Sequence, residues 1–162
     1  MTAYVKMFVE AASYFGNNIP VIIVVSASLA GYFVASGLYK EAGVLVLSLL
    51  SFFYSVLLKN IFKIPRLDTY VGDPTKLGDI YRFPSSHVIV YVAFWGLLLF
   101  LSLKKGVFDG NVTNITIRII SSYHLVFIGV SRVILGAHTI QDVVAGYFFG
   151  LVYLAVLIYL IR

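Results

Sequence analysis

Five apolar stretches, each near the roughly 20 residues that a bilayer-spanning helix needs, occupy most of this chain. They run over Ile19–Leu38, Ala42–Phe62, Ser86–Leu103, Ile115–Val130 and Thr139–Ile161. Stretches of this length predict an all-α, polytopic membrane helix bundle. Composition agrees, because 60% of the 162 residues are hydrophobic and 12% charged, with a mean hydropathy of +0.97. A soluble globular chain carries about twice that charged fraction. The length predicts one domain across residues 1–162.

Ahead of the first span, Thr2–Phe15 leads to Asn17, with Lys6, Glu10, Ser13 and Asn17 at spacings of four, three and four. They draw a narrow polar stripe along an otherwise apolar helix. It is too short and too charged to span, so residues 1–18 are expected to form an interfacial amphipathic helix. The turn Tyr39-Lys40-Glu41 is so short that the first two spans must form an antiparallel hairpin. Small residues of the first span, among them Ser26, Ser28, Gly31, Ser36 and Gly37, permit close helix packing. There is no cysteine, which excludes disulfides, thiolate catalysis and cysteine-ligated zinc or iron–sulfur sites. Lys63–Ser85 is the longest polar connector, and its Gly72, Pro74 and Gly78 predict an irregular loop. His124 falls inside a span, where a hydrogen bond within the bundle is expected of it rather than a metal. The sequons beginning at Asn111 and Asn114 are read as chance matches.

Polar residues gather at three span ends. Lys59 and Arg66 close the second span, Pro84-Ser85-Ser86-His87 opens the third, and Arg132, His138 and Asp142 bracket the turn from the fourth to the fifth. Threading the chain through the bilayer brings all three clusters to one face. Were the last stretch helical from its start, His138 and Asp142 would share a helix face four residues apart. The carboxylate would accept one ring N–H and leave the other nitrogen as nucleophile or base. Three cations, Lys59, Arg66 and Arg132, suit a phosphoryl group better than a carboxylate. Ser85 begins a helix, so its hydroxyl and the following backbone N–H groups, including that of Ser86, form an anion site at a positive helix end. His87, on the first turn, can reach an oxygen entering or leaving phosphorus. No carboxylate cluster of the Mg²⁺-binding kind stands out, so catalysis without metal or other cofactor is expected. The same residues could instead be membrane-edge ion pairs with a snorkelling Arg132.

Lys59-(six residues)-Arg66, then Pro84-Ser85-Ser86-His87, then Ser131-Arg132-(five residues)-His138-(three residues)-Asp142 closely resemble the three-part signature of the type 2 phosphatidic acid phosphatase (PAP2) superfamily, the lipid phosphatases related to vanadium haloperoxidases. The resemblance covers residues 59–142. It implies that His138 attacks phosphorus to form a phosphohistidine, oriented by Asp142, and that His87 protonates the leaving oxygen and then deprotonates water. It also implies that Lys59, Arg66, Ser85, the Ser86 backbone and Arg132 hold the phosphate. Two positions depart from the pattern: Leu67 stands where the signature has proline, and Ser86 where it has glycine. A side chain at Ser86 could crowd a bulky headgroup.

The expected function is hydrolysis of a phosphomonoester or diphosphate on a membrane lipid, a polyprenyl diphosphate or a glycerolipid phosphate. Phosphotransfer to another lipid's hydroxyl is the rival enzyme reading, and a non-catalytic anion or lipid transporter the rival of another class. The partners are the bilayer and the lipid phosphate; no nucleic acid is expected. Orientation is in tension. Lys6, Lys59, Lys63, Arg66, Lys76, Arg82 and Arg132 on the signature face outnumber Lys40, Lys104, Lys105, Arg118 and Arg162, which by charge alone puts that face in the cytoplasm. The resemblance implies an extracytoplasmic site in the cell membrane, with Lys104 and Lys105 inside.

Overall fold

The computed structural model describes residues 3–66, 80–108 and 110–162, and the backbone alone at 3, 5, 6 and 19. The Lys6 side chain, Leu67 and the loop's Asp68, Gly72, Asp73, Pro74, Lys76, Gly78 and Asp79 lie outside the described residues. Among those described there are seven helices and no strand: α1 (Ala3–Asn17), α2 (Ile19–Ala35), α3 (Tyr39–Leu49), α4 (Ser51–Phe62), α5 (Ser86–Leu103), α6 (Asn111–Ile134) and α7 (Ile140–Ile161). Four helical stretches are long and apolar enough to cross a membrane: Tyr39–Phe62, Ser86–Leu103, Asn111–Ile134 and Ile140–Ile161. A fifth arises if α1 and α2, sharply bent against each other, count as one broken span. The chain is an integral membrane protein of the expected all-helical class.

Helix α5 is apolar on every side, and such a helix belongs at a bundle's centre. Its Val88, Ile89, Tyr91, Val92, Ala93, Phe94, Leu97 and Leu101 are buried all round the axis. Helices α1, α3, α4, α6 and α7 pack around it, and α2 lies on α3 and α1. The outer helices turn large apolar side chains outward, for example Ile119 and Val126 on α6 and Val144, Phe148 and Val156 on α7, which makes a lipid-facing belt.

Close contact between α5 and α7 depends on Gly146 and Gly150, one turn apart on α7. A Cβ at Gly146 would stand 2.9 Å from the Val88 Cβ and 3.1 Å from the Ser85 carbonyl oxygen; one at Gly150 would stand 2.8 Å from the Val92 Cβ. This small-xxx-small pair lets two backbones approach where the lipid offers no hydrophobic drive. Gly146→Val is therefore expected to cost on the order of 1–3 kcal/mol through overpacking against atoms that cannot swing away. Gly43→Ala on α3, where an added Cβ meets nothing within 4 Å, should leave stability unchanged or slightly raised. Thermal unfolding in detergent separates the two variants.

Several boundaries differ from expectation for local reasons. The hairpin turn falls at Ser36–Leu38 rather than Tyr39-Lys40-Glu41, because Gly37 adopts a left-handed φ of 73° that stops α2. Glu41 then lies in the first turn of α3, where the helix dipole favours it, and accepts from Lys104 Nζ at 2.7 Å. The second span is two helices, α3 and α4, meeting at Leu50. Ser48 and Ser51 hydroxyls bond back to the Leu45 and Ser48 carbonyls there, a pattern that bends helices. The polar-striped first helix docks on α6 and α5, burying Val9, Ala12 and Phe15. His124 donates to its own helix, from Nδ1 to the Ile120 carbonyl at 2.9 Å, and its ring stacks on Trp95 at 4.2 Å. Asn114 of the second sequon spends its amide on the carbonyls of Phe108 and Gly110.

Candidate active site

The site is assembled at one end of the bundle by the starts and ends of four elements. At the end of α6, the chain closes in a Schellman cap. Gly136, in the left-handed region at φ 68°, lets the Ala137 N–H return to the Arg132 carbonyl at 3.1 Å and the Gly136 N–H to that of Val133 at 3.0 Å. The His138 N–H also reaches the Arg132 carbonyl, at 3.2 Å. The five residues between Arg132 and His138 thus finish a helix and reverse the chain, which sets the imidazole beside the guanidinium-bearing residue.

His138 precedes α7 instead of sharing a helical face with Asp142, as sequence spacing suggested. Thr139 is the N-cap, and it forms a capping box with Asp142: the Thr139 N–H donates to Asp142 Oδ2 at 2.8 Å, and the Asp142 N–H to Thr139 Oγ1 at 3.4 Å. The carboxylate folds back toward the turn, and His138 Nδ1 lies 3.6 Å from the same Oδ2. That is ion-pair range, longer than a closed hydrogen bond. It leaves Nε2 as the ring nitrogen away from the carboxylate. His138 is 5% exposed, and burial pushes its imidazole down to about 4. The cations of Arg132, Lys59 and Arg66 push the same way, and the Asp142 carboxylate opposes them. The ring is accordingly neutral at pH 7 with a free lone pair.

Asp142 also ties the site together through its backbone, whose carbonyl accepts from the Ser85 N–H at 3.1 Å. This bond joins the start of α5 to the start of α7. Ser85 is the N-cap of α5, yet its hydroxyl makes no capping bond; it is fully buried and without a partner, as is the Ser86 hydroxyl. Two buried hydroxyls at a positive helix end are the donors an anion would use. Lys59, 2% exposed in the last turn of α4, donates to the Tyr81 carbonyl at 2.7 Å. An isolated bridge between Pro65 and Tyr81, with the Arg82 N–H on the Ile64 carbonyl at 3.0 Å, pins the two ends of the long connector together beside it. His87, on the first turn of α5, lies within electrostatic reach of Arg132, His138, Lys59 and Arg66. All eight residues marked by the sequence converge on this end. The opposite end of α5, roughly 27 Å away along the axis, carries the Glu41–Lys104 pair.

Three contributors were not legible beforehand. Arg82 places Nη1 3.6 Å from Asp142 Oδ2, so the carboxylate faces a guanidinium as well as the imidazole. Asn17, at the end of α1, lies 2.7 Å from His87 Nε2. The Ser13 hydroxyl meets that of Ser131 at 2.6 Å. The polar stripe on the first helix was the visible trace of the last two, but spacing alone does not tell that Ser13 is buried against α6 while Glu10 stays exposed. Among the described residues, no group of three or more His, Asp and Glu could hold a metal ion.

Fold and site together define a membrane-embedded helical bundle whose signature histidines and cations meet at one end. The PAP2 superfamily model matches residues 40–162, about three-quarters of the chain, and the chain belongs to this phosphatase family. Among solved structures it is similar to the first transmembrane PAP2 type phosphatidylglycerolphosphate phosphatase from Bacillus subtilis, at 20% identity and a TM-score of 0.70, covering 98% of this chain and 77% of that one. At that identity the likeness speaks for the fold. No curated protein matches the chain.

Proposed function

We propose that this protein is a metal-independent lipid phosphatase that works through a phosphohistidine on His138. The observation that carries the reading is a neutral, buried His138 beside Asp142, inside a cluster of Lys59, Arg66 and Arg132 and the unpartnered Ser85 and Ser86 hydroxyls. In the first step His138 Nε2 attacks phosphorus, the bond to the leaving oxygen breaks, and His87 delivers a proton to that oxygen. In the second, His87 takes a proton from water, the water oxygen attacks phosphorus, and the P–N bond breaks to release inorganic phosphate. The cations stabilise charge on the equatorial oxygens in both steps, the task a metal performs elsewhere.

The substrate is a lipid phosphomonoester or diphosphate whose tail stays in the bilayer. The apolar outer faces of α6 and α7 end at the site, so a headgroup can enter while its chains remain among lipids. We place the protein in the cell membrane with this end extracytoplasmic.

Purified protein should release phosphate from lipid phosphates or diphosphates equally well with and without a chelator, and vanadate, which mimics pentacoordinate phosphorus, should compete with substrate. Activity that required added Mg²⁺ would overturn the metal-free step, and non-competitive vanadate inhibition would move the site elsewhere. A newly phosphorylated lipid in place of free phosphate would identify a transferase.

A further inference from the structure

We propose that Asn17 is a positioning residue for His87, so that the C-terminal turn of α1 is part of the catalytic apparatus. The inference rests on the reading of His87 as the proton carrier, and it extends the site to a helix ahead of the 40–162 match.

Asn17 Oδ1 lies 2.7 Å from His87 Nε2. An amide oxygen only accepts, so the ring donates Nε2–H to it. A second contact fixes which ring edge faces α1. A Cβ at Gly16 would stand 2.9 Å from His87 Cδ2, so the helix backbone lies directly against the Cδ2–Nε2 edge. In a five-membered imidazole the atom opposite that edge is Nδ1. It points away from α1, and it becomes the nitrogen left to exchange a proton with substrate and water.

The turn that supplies Asn17 is itself anchored. The Gly16 N–H donates to the Tyr91 hydroxyl at 2.7 Å, one turn beyond His87 on α5. Ser13 bonds to Ser131, which precedes Arg132. Phe15 packs on Tyr91, Phe94 and Trp95. Asn17 is thus held by contacts to α5 and α6, two of the helices that carry signature residues. The charged groups facing His87 are Lys59 from α4, Arg66 after it, Arg132 from α6 and His138 from the following turn. All are cations or a second imidazole, and Asn17 is the neutral acceptor among them. Such an acceptor orients a ring that the cations would otherwise repel and holds it in one tautomer.

The test compares Asn17→Ala, Asn17→Asp and Asn18→Ala by kcat, KM and the pH profile of kcat/KM. Asn18 caps α2 and bonds to Tyr14 in the same junction, so its loss weakens the local fold without touching His87. Asn17→Ala is expected to lower kcat on the order of 10- to 100-fold with KM little changed. Asn17→Asp should restore much of kcat and carry the basic limb of the profile up by about a unit or more, since a carboxylate favours the protonated imidazole. Asn18→Ala should lower thermal stability and leave the profile in place. Wild-type kcat and profile in both Asn17 variants, with His87→Ala inactive, would overturn the positioning role alone. Full activity in His87→Ala would instead overturn the reading on which it rests. A loss in Asn17→Ala matched by Asn18→Ala, with no movement of the limb in Asn17→Asp, would reduce Asn17 to a structural residue.

Discussion

His138→Ala should lose at least about 10³-fold in phosphate release, because it removes the imidazole on which the proposed phosphohistidine forms. The protein should remain folded in detergent, since the Schellman cap that holds this turn is made by backbone groups and Gly136, not by the imidazole. The ring is buried, so its removal also leaves a small void near Arg132 and Asp142. A drop in thermal stability of a few degrees is compatible with that void, whereas near-normal turnover would remove His138 from the reaction. A matching observation is available from the intermediate. Radiolabelled substrate quenched in base should leave acid-labile label on the wild-type chain and none on His138→Ala.

Asp142→Asn is the second large effect, and it separates the two tasks of one side chain. The carboxylate caps α7 through the Thr139 N–H and lies 3.6 Å from His138 Nδ1. An amide oxygen can still accept from Thr139, so α7 should stay capped and the fold intact. The amide cannot offer a charge to the imidazole, and its NH₂ group faces the ring as readily as its oxygen does. The nucleophilic tautomer is then no longer enforced, and kcat should fall about 10²- to 10⁴-fold. Asp142→Ala removes both tasks at once and should lose stability by about 1 kcal/mol more than the asparagine variant, the usual worth of a cap. Equal activity of Asp142→Asn and wild type would show that Arg132 and the turn alone orient His138. Arg82 makes the comparison sharper, because its guanidinium shares Oδ2 with the ring.

The two variants differ in what they owe to sequence. The residues themselves were identifiable from type and spacing: a histidine and an aspartate four apart, a cation just before them, and two further clusters at span ends. Their arrangement was less so. Spacing four suggested a shared helical face, while the chain instead places His138 outside the helix and brings Asp142 back through a capping box. Both geometries put a carboxylate near an imidazole, so the proposed pairing of Asp142 with His138 does not depend on which of the two forms. The threonine three residues before Asp142 was the signal for the cap, and Gly136 the signal for the preceding stop.

By itself the amino-acid order determined the class and where the polar clusters fall between apolar runs. A run of some 20 apolar residues has one stable form in lipid, and that constraint acts along the chain without reference to neighbours. Polar residues at the ends of such runs must then share a membrane face. What only tertiary structure decided was which helix stands at the centre, and what touches the two histidines from elsewhere. The α5–α7 approach through Gly146 and Gly150, the reach of Arg82 to Asp142 and the seat of Asn17 on His87 join residues far apart along the chain. Contacts of that kind arise from how helices pack, and packing leaves only an ambiguous mark on a single sequence: a polar stripe or a glycine pair that could face any neighbour.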